Sequence, residues 1–558
     1  MLISLDHTQI NETTFDVCIV GAGPIGIILA LELVALRPDF NILLLEFGGQ
    51  RTTRRNILDE SIEVKNLVNH YAPYECNNKG LGGTSITWGG RCVQYDEIDF
   101  IPRPPIANHC TWDLSLFTEL TSYADKTAAY FQCGSGVFDL AQLPGPKINP
   151  IAEGFISDEF TDTAIERWSL PVRFGQYYQQ QLLKSPTIHV LLNCECRSFT
   201  PPDEYGNIPS LVVRDTASRT EKKILAKQFV LTAGGIESTR LLLKNQRVFR
   251  HLKQPPFALG RYYQGHLGGK IATVQFYGAP RTTEFGFRQE ADGTYIRRRL
   301  QLTPAALLRE KLLNTVLWLD NPPYFDPSHR SGAQSVMYLA MITPLLRDRL
   351  APPSVANSIT NRTTYGVGRH IGNVLKDLPE SLLTPLVIFA QRYLPKRKLP
   401  GVFLYSSSNT YALYFQSEQI PSANNRIELS RDRESLLIHY EISDTEIASV
   451  LKVHDKLAKE LQENNCGELN YCLPRQEIPA LIRSQPQGGI HQVGTTRIAN
   501  SEADGVVDPN LKVFGTENLF VCSSSILPIS GQANPTFIVG EFSIRLAHFL
   551  GQKGKAKV

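Results

Sequence analysis

Apolar and polar positions along the chain fall into runs that predict its elements. Phe15–Val20 is a short, β-rich apolar run, the pattern of a strand buried on both faces of a parallel sheet. A helical run follows to about Leu36, and Pro38 and Asp39 break it. Asn41–Leu45 predicts a second strand that ends at Glu46, and Thr187–Leu192 predicts another. Lys227–Leu243 reads as a strand, a small-residue turn at Ala233-Gly234-Gly235 and a helix start. Near the far end, Asn534 and Pro535 predict a helix start, as N-cap and first helical residue. Apolar residues at helical spacing continue from Thr536 to Leu550, and Gly551 is expected to close that helix.

Two glycine loops give these elements a chemical meaning. Between the first strand and the first helix lies Gly21-Ala22-Gly23-Pro24-Ile25-Gly26. Gly21 permits a tight turn, Gly23 lets backbone approach a pyrophosphate, and Gly26 allows close helix–strand packing. The helix N-terminus supplies free N–H groups to phosphates. Glu46, twenty residues beyond Gly26, is placed to accept hydrogen bonds from an adenosine ribose. This predicts a Rossmann-like dinucleotide site; the motif fits NAD and FAD alike, and the acid disfavours NADP. The second loop, Asn77–Asp96, carries five glycines between Gly80 and Gly90, with Trp88 among them. Gly82, Gly83, Thr84, Ser85, Trp88 and Gly89 suit backbone lying flat against a ligand such as an isoalloxazine ring. A flexible surface loop is the bland alternative, and Trp88 also fits plain core.

Composition narrows the class. Of 558 residues, 42% are apolar and 20% charged, ordinary for a globular enzyme of several domains or one large composite. A net charge of +3, with no basic stripe, gives no reason to expect nucleic acid. Ten cysteines form no CxxC pair, so no metal site is expected, and they read as mostly free thiols of a reducing, cytoplasmic setting. The N-terminus lacks the pattern of a signal peptide. The apolar stretch Ile19–Leu36 is long enough to raise a membrane span, but its glycines, its proline and Glu32 argue against one. Residues 340–405 are basic and partly apolar; helices capping a substrate domain are the expectation there, and membrane contact is not.

The histidine of "HQVGTTRI", His491, and the asparagine of "GQANPTF", Asn534, are the candidate catalytic pair. Alcohol oxidation removes a hydride from carbon and a proton from oxygen. A neutral imidazole serves as the base, and a carboxamide fixes the direction of the hydroxyl. Taken alone, His491 also fits a packed histidine and Asn534 a bare N-cap.

In order along the chain, GAGPIG with Glu46, GLGGTSITWGGR, VLTAGGIESTRLLL, EQIPSANNRIELS, HQVGTTRI and the segment from GVVDPNLKVFG to GQANPTF resemble the glucose–methanol–choline (GMC) oxidoreductases. The likeness leans to the pyranose oxidase and carbohydrate dehydrogenase branch. It implies an α/β (α+β composite) fold, with a Rossmann-like FAD-binding domain of 1–100, 185–265 and 485–558. An antiparallel-sheet substrate domain of 101–184 and 266–484 would be interleaved with it. It further implies an FAD-dependent enzyme acting on an alcohol, sugar, glycoside or natural-product hydroxyl, reoxidised by oxygen, a quinone or another carrier. A non-redox, FAD-containing lyase of the hydroxynitrile lyase type is the alternative on the same fold. Carried over onto this sequence, His491 is the base and Asn534 its partner, with Ala233, Pro535 and Thr536 among the cofactor contacts. Ser523, or Ser524 with a one-residue slip, stands where many relatives have an aspartate. Thr87 stands where covalent relatives attach FAD through histidine, so the resemblance implies non-covalent FAD.

Overall fold

A computed structural model describes residues 1–5, 10, 13–50, 61–144, 149–169, 172–350, 359–360, 364–406, 408–485 and 488–553. Its largest sheet has eight strands. Leu2–Ile3, Ile188–Leu191, Ile42–Leu45, Thr14–Val20 and Glu221–Leu231 lie side by side in parallel, and Leu519–Val521 adds a further parallel strand. The alignment puts Val20 beside Leu45 and Leu231, so these strands end at one level, where the glycine turns begin. Ser210–Asp215 and Cys194–Phe199 extend the sheet with antiparallel pairing.

The Thr14–Val20 strand is buried over its last four residues, as its unbroken apolar run requires. The helix Pro24–Leu36 begins on a proline, which needs no hydrogen-bond partner for its missing N–H. Ile27, Ile28, Leu29 and Leu33 are fully buried, each contributing about 1.5–3 kcal/mol. Helix Thr536–Lys553 packs beside this helix, and Ser543 Oγ donates to the carbonyl of Ile25 at 3.0 Å. Glu32, the acid that argued against a membrane span, is buried there and held by Lys126 and by Tyr130 Oη at 2.9 Å. The last helix runs past Gly551 to Lys553, correcting the expected stop. The Arg37 guanidinium donates to the Gly551 carbonyl at 3.1 Å, so a cation from the neighbouring helix satisfies the late carbonyl and no left-handed glycine cap is needed.

Six antiparallel strands form the second layer, in the order Gly467–Tyr471, Leu267–Phe276, Thr410–Ser417, Thr315–Asp320, Leu300–Leu302 and Phe160–Thr161. A smaller sheet joins Arg288–Gln289, Tyr295–Arg298, Ile165–Trp168 and the two-residue strand Arg91–Cys92. All ten cysteines are free thiols. Helices Gly332–Ile342, Pro344–Leu350, Val367–Lys376 and Leu378–Tyr393 stand where helices are expected and pack chiefly on one another. Among the described residues, no helix is long and apolar enough to cross a membrane.

Candidate active site

The first glycine loop is shaped by what each Cβ would strike. At Gly26 a Cβ would lie 2.0 Å from the carbonyl oxygen of Gly21. At Gly21, with φ at +111°, it would lie 2.7 Å from Ala233 Cα. Both are packing positions that only glycine fills. Gly23 has φ −74° and nothing within 4 Å of the place a Cβ would occupy. Gly89 and Gly234 face open space in the same way. The open side of the first loop, the second loop and the Ala233 turn thus form a concave cradle at the ends of the parallel strands, the place where open α/β sheets hold dinucleotides.

Glu46 ties the loops together. Its carboxylate accepts from the N–H groups of Ala22 at 2.9 Å, Gly48 at 3.0 Å and Gly80 at 2.8 Å. Three of roughly four acceptor sites are therefore spent on backbone, which leaves one for a ribose hydroxyl. Burial raises its pKa, and those three N–H groups oppose the rise.

In the second loop, Gly82 has φ +96° and starts a 3₁₀ turn over Gly83–Ile86. A Cβ on Gly83 would meet Gly23 Cα at 3.0 Å, so the two glycine loops touch. Ser85 is structural: its Oγ donates to the Gly82 carbonyl at 2.6 Å and accepts from the Phe174 N–H at 3.0 Å. Trp88 donates through Nε1 to the Val172 carbonyl at 3.0 Å and packs on Phe131 and Phe174. Thr84 and Gly89 are exposed. Ser523 is buried, its Oγ 2.7 Å from Ser525 Oγ, which in turn lies 2.6 Å from Thr496 Oγ1. That hydroxyl chain holds the His491 segment against the last strand.

His491 Nδ1 lies 2.8 Å from His266 Nδ1, with the rings edge to face. His266 is buried beside the backbone of Ser530 and Gly531, just before Asn534. One ring donates this Nδ1–Nδ1 hydrogen bond and the other accepts it; with His491 as the donor, its Nε2 keeps a lone pair. Burial, His266 and Arg91 hold the His491 pKa well below 6.5, and burial and Arg91 bring His266 to about 4. Both rings are neutral at physiological pH.

Asn534 Oδ1 accepts from Gln416 Nε2 at 3.3 Å, and Gln416 Oε1 accepts from Arg91 Nη1 at 3.3 Å. Among the described residues, the Asn534 side chain caps no N–H of its helix; the Pro535 carbonyl accepts a first helical bond from Val539. Arg91 is thus one side chain away from Asn534 and within electrostatic reach of both imidazoles. His491 and Asn534 were legible as sequence; His266, Arg91 and Gln416 were not. The nearest signal was a second histidine between glycines, in Gly265–Gly268.

Residues 421–540 match the family model described as GMC oxidoreductase. Comparison with curated proteins returns no match. Among solved structures, pyridoxine 4-oxidase from Mesorbium loti aligns over 98% of this chain and 100% of its own, at 16% identity and a TM-score of 0.51. A fungal aryl-alcohol oxidase aligns over 97% and 99%, at 13% identity and a TM-score of 0.52. A formate oxidase variant from Aspergillus oryzae RIB40, described for its FAD modification, aligns over 98% and 99%, at 14% identity and a TM-score of 0.51. At such identities the likeness is one of fold.

Proposed function

We propose that this chain is a GMC-type, FAD-dependent oxidoreductase that oxidises an alcohol CH–OH group to a carbonyl. The observation that carries the reading is the neutral His491, oriented by His266 and sharing a neighbourhood with Asn534. The family match over 421–540 and the oxidase neighbours support it.

The cradle fits the cofactor. Gly21, Gly23 and Gly26 with Glu46 would hold the adenosine and pyrophosphate. Gly82, Gly83, Thr84 and Gly89 would back the ring, with Ser85 and Trp88 shaping that loop from behind and Ala233 and Ser523 closing the sides. Pro535 and Thr536 bring the positive end of the last helix toward it. With Thr87 in place of a histidine, attachment is non-covalent. FAD, when bound, supplies the hydride acceptor. The protein's own work is the proton: His491 Nε2 takes it from the substrate hydroxyl while His266 Nδ1 steadies the ring. Asn534, braced by Gln416, fixes the direction of that hydroxyl. The FAD-binding segments are 1–100, 185–265 and 485–558, the substrate segments 101–184 and 266–484. The substrate is a sugar, glycoside or natural-product alcohol, and the acceptor is oxygen, a quinone or another carrier.

The test is anaerobic flavin reduction across a panel of alcohols. We expect bleaching with at least one, and His491→Ala to retain FAD while slowing reduction ~100-fold or more. Turnover of a cyanohydrin without bleaching would instead assign the lyase.

A further inference from the structure

Arg91 stands where the candidate site meets the small sheet, and its surroundings are unbalanced in charge. Arg91, Arg297 and Arg299 all act on one buried carboxylate, Glu166. Burial alone would raise the Glu166 pKa, but Arg297, then Arg91 and Arg299, hold it below the usual range. Arg297 already donates to Glu166 through Nε at 2.6 Å. Nearby, Lys270 pairs with Asp320 at 2.9 Å, and Asp96 takes hydrogen bonds from Gln301, Asn314 and Gln532. Four cations thus face three carboxylates, while both histidines are neutral. Arg299 is occupied by Gln532 at 2.7 Å. Arg91 pairs through Nε with one Glu166 oxygen and Arg297 takes the other, so a single carboxylate serves two guanidinium groups. The outer edge of Arg91 is the under-used part: its Nη2 is buried without a hydrogen-bond partner, its Nη1 makes only the 3.3 Å bond to Gln416, and its guanidinium lies 4.3 Å over the Trp318 ring.

We propose that Arg91 is the anchor for a carboxylate on the substrate, so that the alcohol oxidised beside His491 is carboxylate-bearing. The inference rests on the proposed function for where the hydroxyl goes, and on the Arg91 surroundings for the anion. The planar fork of Nη1 and Nη2 suits bidentate pairing, and a carboxylate would supply the partner Nη2 lacks. Burial first, and then the neighbouring arginines, bring Arg91 to about 10 against the opposing charge of Glu166. An arriving anion would relieve that penalty. It would also cancel the charge by which Arg91 weakens both imidazoles as bases, so proton affinity at His491 would rise when substrate is in place.

The experiment has two readouts on the purified holoenzyme. Binding of benzoate and of its neutral counterpart benzamide is followed by the flavin spectrum and by tryptophan fluorescence. We expect benzoate to bind about 10–100-fold more tightly, the scale of a hydrogen bond to a charged group. Arg91→Met should erase the preference, and Arg91→Lys should keep part of it. Flavin reduction by 4-(hydroxymethyl)benzoate should exceed that by benzyl alcohol, and Arg91→Met should shrink the ratio of the two rates. Equal binding of benzoate and benzamide to the wild-type protein would overturn the proposal whether or not the variants fold. So would an Arg91→Met variant that slows both alcohols alike. Preferential benzoate binding with no alcohol reducing the flavin would leave the anion site standing and remove the oxidase.

A separate observation concerns the helical lobe. Among the described residues, 29 large apolar side chains are exposed, and twelve of them lie between Leu345 and Leu394. Leu382, Leu383, Leu386, Val387 and Leu394 are each more than half exposed. Between 364 and 400 the sequence places Arg369, Lys376, Arg392, Lys396 and Lys398 against Asp377 and Glu380, while Arg397 is spent on the Gln132 carbonyl at 2.7 Å. Asp377 is spent on the Gly332 N–H at 3.0 Å. Exposed apolar helical positions in a stretch with this excess of cations match the interface of an anionic bilayer, where apolar area and basic residues add. We infer that this face docks on such a bilayer, against the sequence expectation of no membrane contact. Flotation with phosphatidylcholine vesicles, with and without phosphatidylserine, tests it. The protein should float with the anionic vesicles, less so in high salt, and Leu382→Glu with Leu386→Glu should abolish flotation without changing flavin reduction. Failure to float with either vesicle would overturn the inference, as would a dimer in sedimentation that the same substitutions dissolve.

Discussion

At the residue scale, one hydrogen bond decides which nitrogen can act. With His491 donating from Nδ1 to His266 Nδ1, base strength is left on Nε2. Replacing His266 with Phe removes that orientation and one influence that lowers the His491 pKa. The limb where activity falls with acid should then move to higher pH, with flavin reduction about tenfold slower. In the wild type the rate should stay flat from neutrality to well below pH 6, because a base with a lowered pKa stays unprotonated there. An unmoved limb in the variant would deny His266 its positioning role. The same burial sets a stability trend. His70, His266 and His454 each titrate near 4 in the fold, mainly through burial, against about 6.5 when unfolded. The unfolded chain therefore gains protons first as pH falls, and stability should decline between about pH 6.5 and 4, by up to about 3 kcal/mol per histidine. A melting temperature independent of pH across that window would contradict the buried, neutral state. Single residues were only partly legible. The HQVGTTR turn announces His491 by its glycines, whereas Arg91 draws its meaning from Gln416, 325 residues away.

At the element scale, three glycines in one loop carry separable jobs, and substitution can tell them apart. Gly26→Ala would place a methyl 2.0 Å from the Gly21 carbonyl oxygen, backbone that cannot yield, and 2.7 Å from the Thr232 hydroxyl. We expect loss of soluble, folded protein. Gly23→Ala meets nothing within 4 Å and needs no unusual φ. The protein should fold with its melting temperature nearly unchanged when prepared without cofactor, yet bind FAD at least about tenfold more weakly, because the methyl occupies the cradle. Equal FAD affinity in Gly23→Ala, measured by equilibrium dialysis, would remove the pyrophosphate from that loop. The strand–loop–helix unit was readable because its signals are local: an apolar run, glycines, then Pro24. The ending of the last helix was not, since its late carbonyl is satisfied by Arg37, distant in sequence. The helices between 332 and 394 were legible as helices but their packing partners were not, because helical periodicity reports which face is apolar and not what that face meets.

At the scale of the whole molecule, the strand order of the large sheet follows rules that local pattern carries, but the joint between the sheets does not. That joint runs through Arg103. Its guanidinium donates to Glu418 at 2.9 and 3.1 Å, and lies 3.5 Å from Asp99, with all three side chains almost wholly buried. Asn314 donates to Asp99 at 3.0 Å, and its backbone N–H donates to Glu418 at 3.1 Å. One cation thus joins the segment after the second glycine loop to the end of the antiparallel sheet. Asp99 sits far above its usual range, through burial, Asp96 and Glu418, opposed by Arg103 and Asn314. Without Arg103 the two carboxyl groups would face each other unpaired, and Arg103→Met should cost about 3–5 kcal/mol. Adding Glu418→Gln removes the stranded charge, so the double variant should recover part of that loss and the two costs should not add. Urea unfolding of the four proteins in the cycle measures the coupling. Costs that simply sum, or a single substitution costing under about 1 kcal/mol, would mean that the sheets are held in place by apolar packing and that this buried charge contributes only polar complementarity.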